Sequence, residues 1–340
     1  MKILFDSVYV HNGGGKEILD LIIYKLIKEE VENNFHFLLD KRYVIPKSAN
    51  NKLDFTSILS SERNRKRFYR ENNRFRSYFC FGNVPPPISI NNPCTIYFHN
   101  DLLINPFRTN LSLREILKNL IKKYYIKVKS QRNYNWCVQT NIMRRKLFNS
   151  YRIDEEKIKI YPIFDTKIIQ KNRTNDSFLY VSNYSKHKNH NRLLKAFIES
   201  ANLTNKTLLL KLTLTDKDYK KSIYKTCKLP KNLMIKNLGT LNKQMLRDAY
   251  LNSKFLIFPS LNESFGLPLI EATNMGCYTV VSELGYVDEI ISPSIKFDPF
   301  STTDISKAIL ECVNNRTLNP SKPIIENKID TFVKYLTSNV

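Results

Sequence analysis

The sequence predicts an α/β protein made of two doubly wound, parallel-sheet domains. Three observations lead there. The chain has 340 residues, room for two domains of ordinary size. Apolar residues make up 42% of it, enough to build real cores. Short apolar runs alternate with stretches of helical spacing in both halves, the rhythm of parallel strands crossed over by helices.

In the first half, a strand at Ile3–Phe5 is followed by Asn12-Gly13-Gly14-Gly15. A helix comes next, with Ile18, Leu19, Ile22, Ile23 and Leu26 on one face. Further strands are predicted at Phe35–Leu39, Thr95–Phe98 and Trp136–Val138. The second half gives a strand at Phe178–Val181, a helix near Asn191–Ile198 and strands at Leu208–Leu212 and Phe255–Phe258. A helix from Pro268 and a strand at Tyr278–Val281 complete it. The boundary is placed at Pro162-Ile163-Phe164-Asp165 and the polar stretch 171–177 after it. The domains are then 1–165 and 166–320. The remaining segment, 321–340, is compatible with a helix over Ile325–Leu336, and composition does not say where it packs. Two such domains facing one another would leave a cleft at the carboxyl ends of their strands, where open α/β sheets bind ligands.

The formal net charge is +23. A charge of that size attracts polyanions and carries no information about fold. Two segments concentrate it. One is Arg63-Asn-Arg-Lys-Arg67, continuing to Arg76; the other is Arg114–Arg132. In the second, Leu113, Leu117, Leu120, Ile121, Tyr124 and Val128 recur at helical spacing among Lys118, Lys122, Lys123, Lys127 and Lys129. That pattern suits a basic amphipathic helix on an anionic membrane surface. It also suits an ordinary surface helix with a lysine-rich face. A nucleic-acid partner is the remote alternative, since no recognition motif accompanies the charge. No run reaches the ~20 apolar residues of a membrane span. The N-terminus reads as a strand rather than a secretory signal. The expectation is a cytoplasmic protein, peripheral on the inner face of the membrane. The six cysteines form no Cys-x-x-Cys pair, so buried reduced thiols are expected. No His, Asp and Glu residues stand at metal-ligand spacing, so neither metal nor cofactor is called for.

The segment Pro259–Ala272 carries the chemistry. A buried strand ends at Phe258 and a loop leads into a helix. Pro268 suits a first helical position, where its missing amide hydrogen costs nothing. Gly266 allows close backbone approach. A helix N-terminus favours negative charge, so a diphosphate would sit well there. Glu263 lies on the loop and Glu271 about one turn into the helix, each able to accept hydroxyl hydrogens. The plain alternative makes Glu263 a loop residue and Glu271 a charge complementing the helix dipole. Gly13–Gly15 is neither a Walker A loop nor a dinucleotide fingerprint: Glu17 follows Lys16, and position 18 is Ile18.

Glu263-Ser-Phe-Gly-Leu-Pro-Leu-Ile-Glu271 resembles the E-x7-E signature of family-4 retaining glycosyltransferases, which have the GT-B fold of two Rossmann-like domains facing across a cleft. Other segments resemble that family in order. Gly13-Gly14-Gly15 is similar to its glycine-rich loop after the first strand, and Tyr97-Phe98-His99-Asn100-Asp101 to its strand ending in a histidine. Val138-Gln139-Thr140 and Ile158–Pro162 resemble the segments leading out of the first domain. Tyr180–His190 resembles the phosphate-binding turn that opens the second domain, and Leu238-Gly239-Thr240 the turn at the donor's base.

The resemblance implies roles. Glu271 would bind the donor's ribose hydroxyls. Glu263 would hold the transferred sugar, with Ser264 and the amides of Phe265, Gly266 and Leu267 beside it. Lys188 would neutralise the diphosphate leaving group, and His99 would contact the sugar. Gly13–Gly15 would approach the phosphates or the acceptor; the alternative is a tight turn capping the first helix. For His99 the alternative is a buried histidine satisfied by backbone. One position departs from the family: an arginine is common five residues before the lysine, where this chain has Asn183. Lys186, Arg192 or another basic residue would then supply the charge. The implied enzyme is a metal-independent hexosyltransferase using a nucleotide-sugar donor. Its expected acceptor is a lipid-linked glycan of surface polysaccharide, lipopolysaccharide or capsule type. The alternative within the fold is a synthase acting on soluble sugars.

Overall fold

In a computed structural model of the chain, the residues described are 1–72, 74–104, 113–169, 176–223, 229–315 and 317–339. The polar stretch expected at the boundary lies largely outside them (170–175), as does Cys227. The chain divides into two units: Met1–Asp165 with Glu326–Val340, and Thr166–Ile325.

The first unit is built on β1 (Ile3–Ser7), α1 (Gly13–Lys28), β2 (Phe35–Asp40), β3 (Phe55–Ile58), α2 (Glu62–Glu71) and β4 (Ser77–Cys80). It continues with β5 (Cys94–Tyr97), α3 (Leu113–Lys129), β6 (Asn135–Val138), α4 (Asn141–Tyr151) and β7 (Ile158–Ile160). Its seven strands run in the order β3-β2-β1-β4-β5-β6-β7. Every pairing is parallel. All five residues of β1 are buried, as expected of a central strand covered on both faces. Helix α1 buries the expected face: Ile18, Leu19, Ile22, Ile23 and Leu26.

The second unit contains β8 (Ser177–Tyr180), α5 (His190–Asn202), β9 (Leu208–Leu212), α6 (Asp216–Ile223), β10 (Leu233–Asn237), α7 (Lys243–Leu251) and β11 (Phe255–Phe258). Then come α8 (Leu267–Asn274), β12 (Tyr278–Ser282), α9 (Gly285–Asp288), β13 (Ile291–Ser292), β14 (Ile295–Phe297), α10 (Thr302–Asn314) and β15 (Lys322–Pro323). Six strands run in the order β10-β9-β8-β11-β12-β14. They too pair in parallel. The short β13 and β15 pair antiparallel to each other. The caps are local chemistry: Thr140, Asn242 and Ser301 each accept an amide hydrogen from the first turn that follows.

The last helix, α11 (Ile329–Asn339), belongs to the first unit. Phe332 packs its ring 5.5 Å from Phe79, 5.7 Å from Tyr97 and 5.4 Å from Tyr161. The Tyr335 hydroxyl meets Thr95 Oγ1 at 2.9 Å. The final residues thus seal the sheet that opened the chain. Cys80, Cys94, Cys137, Cys277 and Cys312 are buried, reduced thiols.

The basic run on α2 is less superficial than its composition suggests. Arg65 is 1% exposed and pairs with the equally buried Asp6 at 2.6 Å. It also donates to the carbonyls of Val84 and Pro85. Phe68 and Tyr69 are buried beside it. Helical periodicity turns every third or fourth residue inward, so Arg65 leaves the surface while Arg63, Lys66, Arg67 and Arg70 line its outer face.

Candidate active site

In the second sheet, β8 and β11 are neighbours, with Phe255 opposite Phe178 and Leu256 opposite Leu179. Here the strand order reverses: β9 and β10 lie on one side, β12 and β14 on the other. Loops leaving the carboxyl ends of two such strands part in opposite directions and open a crevice. The loops after β8 and β11 carry the residues singled out in the sequence. The Leu261 amide donates to the His187 carbonyl at 2.8 Å and ties one loop to the other. Buried Tyr180, the last residue of β8, donates its hydroxyl to the Lys188 carbonyl at 2.6 Å and lies 3.3 Å from Ser260 Oγ. Tyr286 holds the Ser260 carbonyl at 2.9 Å.

This frame brings Lys188 Nζ within 2.5 Å of Glu263 Oε1, with side chains only 17% and 13% exposed. The ammonium also stands over the Phe258 ring, 5.5 Å from its centre. Asn189 closes the turn in the left-handed region, at φ 61, and its amide donates to the Pro299 carbonyl. Ser264, Phe265 and Gly266 follow Glu263 on the approach to α8. Gly266 is the helix N-cap at φ 83, with Pro268 in the first turn and no acidic residue there. The cap brings no side chain, so the positive end of the helix dipole is left without a carboxylate of its own.

Glu271 lies on α8, and its Oε2 accepts the Tyr250 hydroxyl at 2.8 Å. Tyr250 is buried; burial and the Glu271 carboxylate both push its pKa up, keeping it a donor. Gly239, at φ 73, and Thr240 form the turn after β10. The Asn237 side chain fixes the approach to that turn by bonding both the amide and the carbonyl of Leu214.

Asn183, at the family's arginine position, is exposed, and so is Lys186. Arg192 is engaged elsewhere: it donates to Asn189 Oδ1 at 2.8 Å and to the Pro299 carbonyl at 3.2 Å. A further cation comes from α6, where Lys221 Nζ lies 5.7 Å from the centre of the Tyr184 ring. His190 faces the same ring and meets Ser182 Oγ at 3.0 Å. Burial holds its pKa down to about 3. His187 meets Ser185 Oγ at 3.1 Å.

The first unit assembles a second group at its own reversal of strand order, between β1 and β4. Gly13, Gly14 and Gly15 form the opening turn of α1 itself rather than a separate loop, because the helix starts directly after Asn12. Asn12 offers no side-chain cap, and Gly13 sits at φ 61. His99 follows β5. Its imidazole lies 5.2 Å from the Phe81 ring, and burial lowers its pKa to about 4. Asn83, after β4, accepts the His99 amide hydrogen at 2.6 Å. Gly15 lies directly against this ring: a Cβ there would come 3.2 Å from Nε2.

Asn83, Tyr250 and Lys221 carry no signal in the sequence. Each acts on a residue from a distant part of the chain, so no local spacing signals it. The helix expected over the second basic segment is α3. Ile126 is buried and Leu120 half-buried, whereas Leu113, Leu117, Ile121, Tyr124 and Val128 are between 59% and 87% exposed. At 100° per residue these five fall within roughly a quarter of the helix circumference. The helix is held from within by Lys123, donating to the Ile104 carbonyl, and by Tyr125, donating to Glu62 at 2.6 Å. Among the described residues no helix is long and apolar enough to cross a membrane. Nor do three His, Cys, Asp or Glu residues among them gather as a metal-holding group.

Residues 164–330, which span the second unit, match the family of glycosyl transferases group 1. The O-antigen chain mannosyltransferase RfbU of Salmonella typhimurium is 22% identical over 211 residues, 58% of this chain and 58% of that protein. The chain thus aligns with under two thirds of that relative's length. HepE of Anabaena, solved with UDP-glucose, superposes with a TM-score of 0.66 at 14% identity, over 93% of this chain and 90% of that one. Sucrose-phosphate synthase of Thermosynechococcus elongatus gives 0.67 at 11% identity, over 92% and 90%. At such identities the likeness is one of fold: two Rossmann-like parallel-sheet domains, as in GT-B glycosyltransferases.

Proposed function

We propose that the protein is a retaining family-4 glycosyltransferase. It would move a sugar from a nucleoside-diphosphate donor to a lipid-linked glycan acceptor, without a metal ion. The observation that carries this is the Lys188–Glu263 pair at the head of α8, with Glu271 on the same helix. Departure of a diphosphate concentrates negative charge on the leaving group, and preorganised cations and helix amides answer that demand. Lys188 would turn from Glu263 to the diphosphate. Glu263 would then accept sugar hydroxyls and face the positive charge developing on the ring. Glu271, oriented by Tyr250, would receive the ribose hydroxyls. Ser264–Leu267 and Gly239-Thr240 would flank sugar and base. Lys221, beside Tyr184, would supply the charge that Asn183 lacks. His99 would contact the sugar, and Gly13–Gly15 the phosphates or acceptor.

Calorimetry with UDP, GDP, ADP and CMP, without divalent metal, tests the site. One nucleotide should bind the wild type, and Glu271→Ala should weaken it about 10–100-fold, the worth of a hydrogen bond to a charged acceptor. Equal behaviour of wild type and variant would remove the assignment.

The lipid-linked acceptor is supported by α3. Five exposed apolar side chains form one row, bordered on one side by Arg114 and Lys118 and on the other by Lys127. An apolar stripe edged by cations matches an anionic bilayer surface, in which the stripe enters the interface and the ammonium groups meet headgroups. The outer face of α2 adds Arg63, Lys66, Arg67 and Arg70. The protein should sediment with anionic liposomes at low salt and not with neutral ones. Failure to do so, together with transfer to free sugars, would favour a soluble-acceptor synthase.

A further inference from the structure

We propose that Tyr180 and Tyr286 are positioning residues: they pin the two backbones that carry Lys188 and Glu263, so that the ammonium passes from carboxylate to diphosphate by side-chain rotation alone, with no opening of either loop. The part concerning the diphosphate rests on the reading above; the pinning itself is tested without it.

Tyr180 ends β8 and is fully buried. Its one hydroxyl hydrogen goes to the Lys188 carbonyl at 2.6 Å. Only lone pairs then remain for Ser260 Oγ at 3.3 Å, so the serine is the donor there. Tyr286, on α9, donates to the Ser260 carbonyl at 2.9 Å. Ser260 is itself fully buried and is held by its carbonyl and its hydroxyl at once. The hydrogens therefore run one way. They pass from Tyr286 to the Ser260 carbonyl, from the Ser260 hydroxyl to Tyr180, and from Tyr180 to the backbone of Lys188. Burial raises the pKa of both tyrosines, which keeps them donors at neutral pH.

Strand order puts the second tyrosine there. β12 lies beside β11 with Val281 opposite Phe258, and Ser282 Oγ donates to the Phe258 carbonyl at 3.2 Å. α9 begins at Gly285, so Tyr286 stands over the loop that leaves β11. The neighbours are tied as well. The Leu261 amide donates to the His187 carbonyl at 2.8 Å, and the Asn189 side chain donates to the Pro299 carbonyl at 2.8 Å. The backbone is thus fixed before, at and after Lys188, and at two successive residues upstream of Glu263. What is left to move is the lysine side chain, whose flexible four-carbon stem re-aims the ammonium. A cation carried on a fixed frame costs little reorganisation when leaving-group charge appears.

Hydrogen exchange on the wild type tests the pinning first. The Leu261 amide should exchange as slowly as the amides of β8 and β11, and equally slowly with the bound nucleotide. Fast exchange, or loss of protection on binding, overturns the proposal without any variant having to fold. Tyr286→Phe and Tyr180→Phe then remove one hydroxyl each and keep the ring. The coupling between Lys188 and Glu263, from a double-mutant cycle in urea run within each background, should fall to less than about half its wild-type value. A cycle cancels whatever the tyrosine contributes to overall stability, so a merely structural role would leave the coupling unchanged, which would overturn the proposal. In turnover, kcat should fall about tenfold in each variant while nucleotide affinity stays within about twofold, because Glu271 and Tyr250 are untouched. Equal losses in kcat and affinity would contradict a role confined to the pair. Should the transfer reading itself be wrong, wild type would show no turnover with any sugar nucleotide, yet the coupling would still fall in the variants.

Discussion

The Lys188 ammonium stands 2.5 Å from the Glu263 carboxylate, although 75 residues separate them in the chain. Adjacency of β8 and β11 brings them together, and the main-chain bond between Leu261 and His187 locks their loops. Each is mostly buried, so each is the other's principal solvation.

Removing one partner leaves the other uncompensated. Lys188→Met and Glu263→Gln should each destabilise the fold by about 1–3 kcal/mol. The double variant should lose less than the sum, as expected of coupled neighbours. Urea denaturation of the four proteins measures this. In turnover each single variant should lose about 10²–10³-fold, the scale of a lost electrostatic stabiliser.

Tyr250→Phe removes the donor that orients Glu271 while keeping the ring. Nucleotide affinity should fall about 3–10-fold, less than for Glu271→Ala, because the carboxylate stays and only a group that orients it is lost. Calorimetry decides; an effect equal to that of Glu271→Ala would mean that orientation, not the carboxylate itself, sets affinity.

Gly266 caps α8 at φ 83, and a Cβ there would lie 3.2 Å from Leu269 Cδ1. Gly266→Ala should cost about 1–2 kcal/mol from the left-handed backbone alone. It should also weaken donor binding by displacing the start of the helix. A variant as stable as wild type, with unchanged affinity, would contradict both expectations.

Burial keeps the imidazoles of His99 and His190 neutral, with pKa values lowered to about 4 and about 3. In the unfolded chain they take up protons near pH 6.5. Between those limits the unfolded state holds more protons, so stability must fall as pH falls. Each histidine contributes at most about 1.4 kcal/mol per pH unit through this window. Denaturation at pH 7, 6 and 5 should show the decline, and His190→Gln should make it shallower. An identical slope in that variant would refute the contribution of His190.

Arg65 and Asp6 form a buried pair, reinforced by Tyr69 donating to Asp6 at 2.7 Å. Asp6→Ala should cost about 3–5 kcal/mol, because it strands a buried guanidinium. Replacing both with apolar residues of similar volume should recover much of that loss, as thermal unfolding would show.

The sequence by itself determined the α/β alternation and the central strands. Phe255–Phe258 reads as an unbroken apolar run and Leu208–Leu212 as one interrupted only by Lys211, and both were legible to the residue. It also marked Glu263, Gly266, Pro268 and Glu271, since a strand, a loop and a helix start are local features with local signals. Short or partly exposed strands such as β3 carried too little contrast to be seen. Tertiary structure alone decided which positions of α2 and α3 would be buried, so Arg65 left the basic surface and Ile126, rather than the apolar row of α3, entered the core. It alone carried the chain back at Glu326 to place α11 on the first sheet. It also decided the partners: Lys188 with Glu263, Tyr250 with Glu271, Asn83 with His99. Helical and strand periods fix which face a residue occupies, but strand order fixes which loops meet, and the energy that selects strand order is spread over the whole core rather than written at any one position.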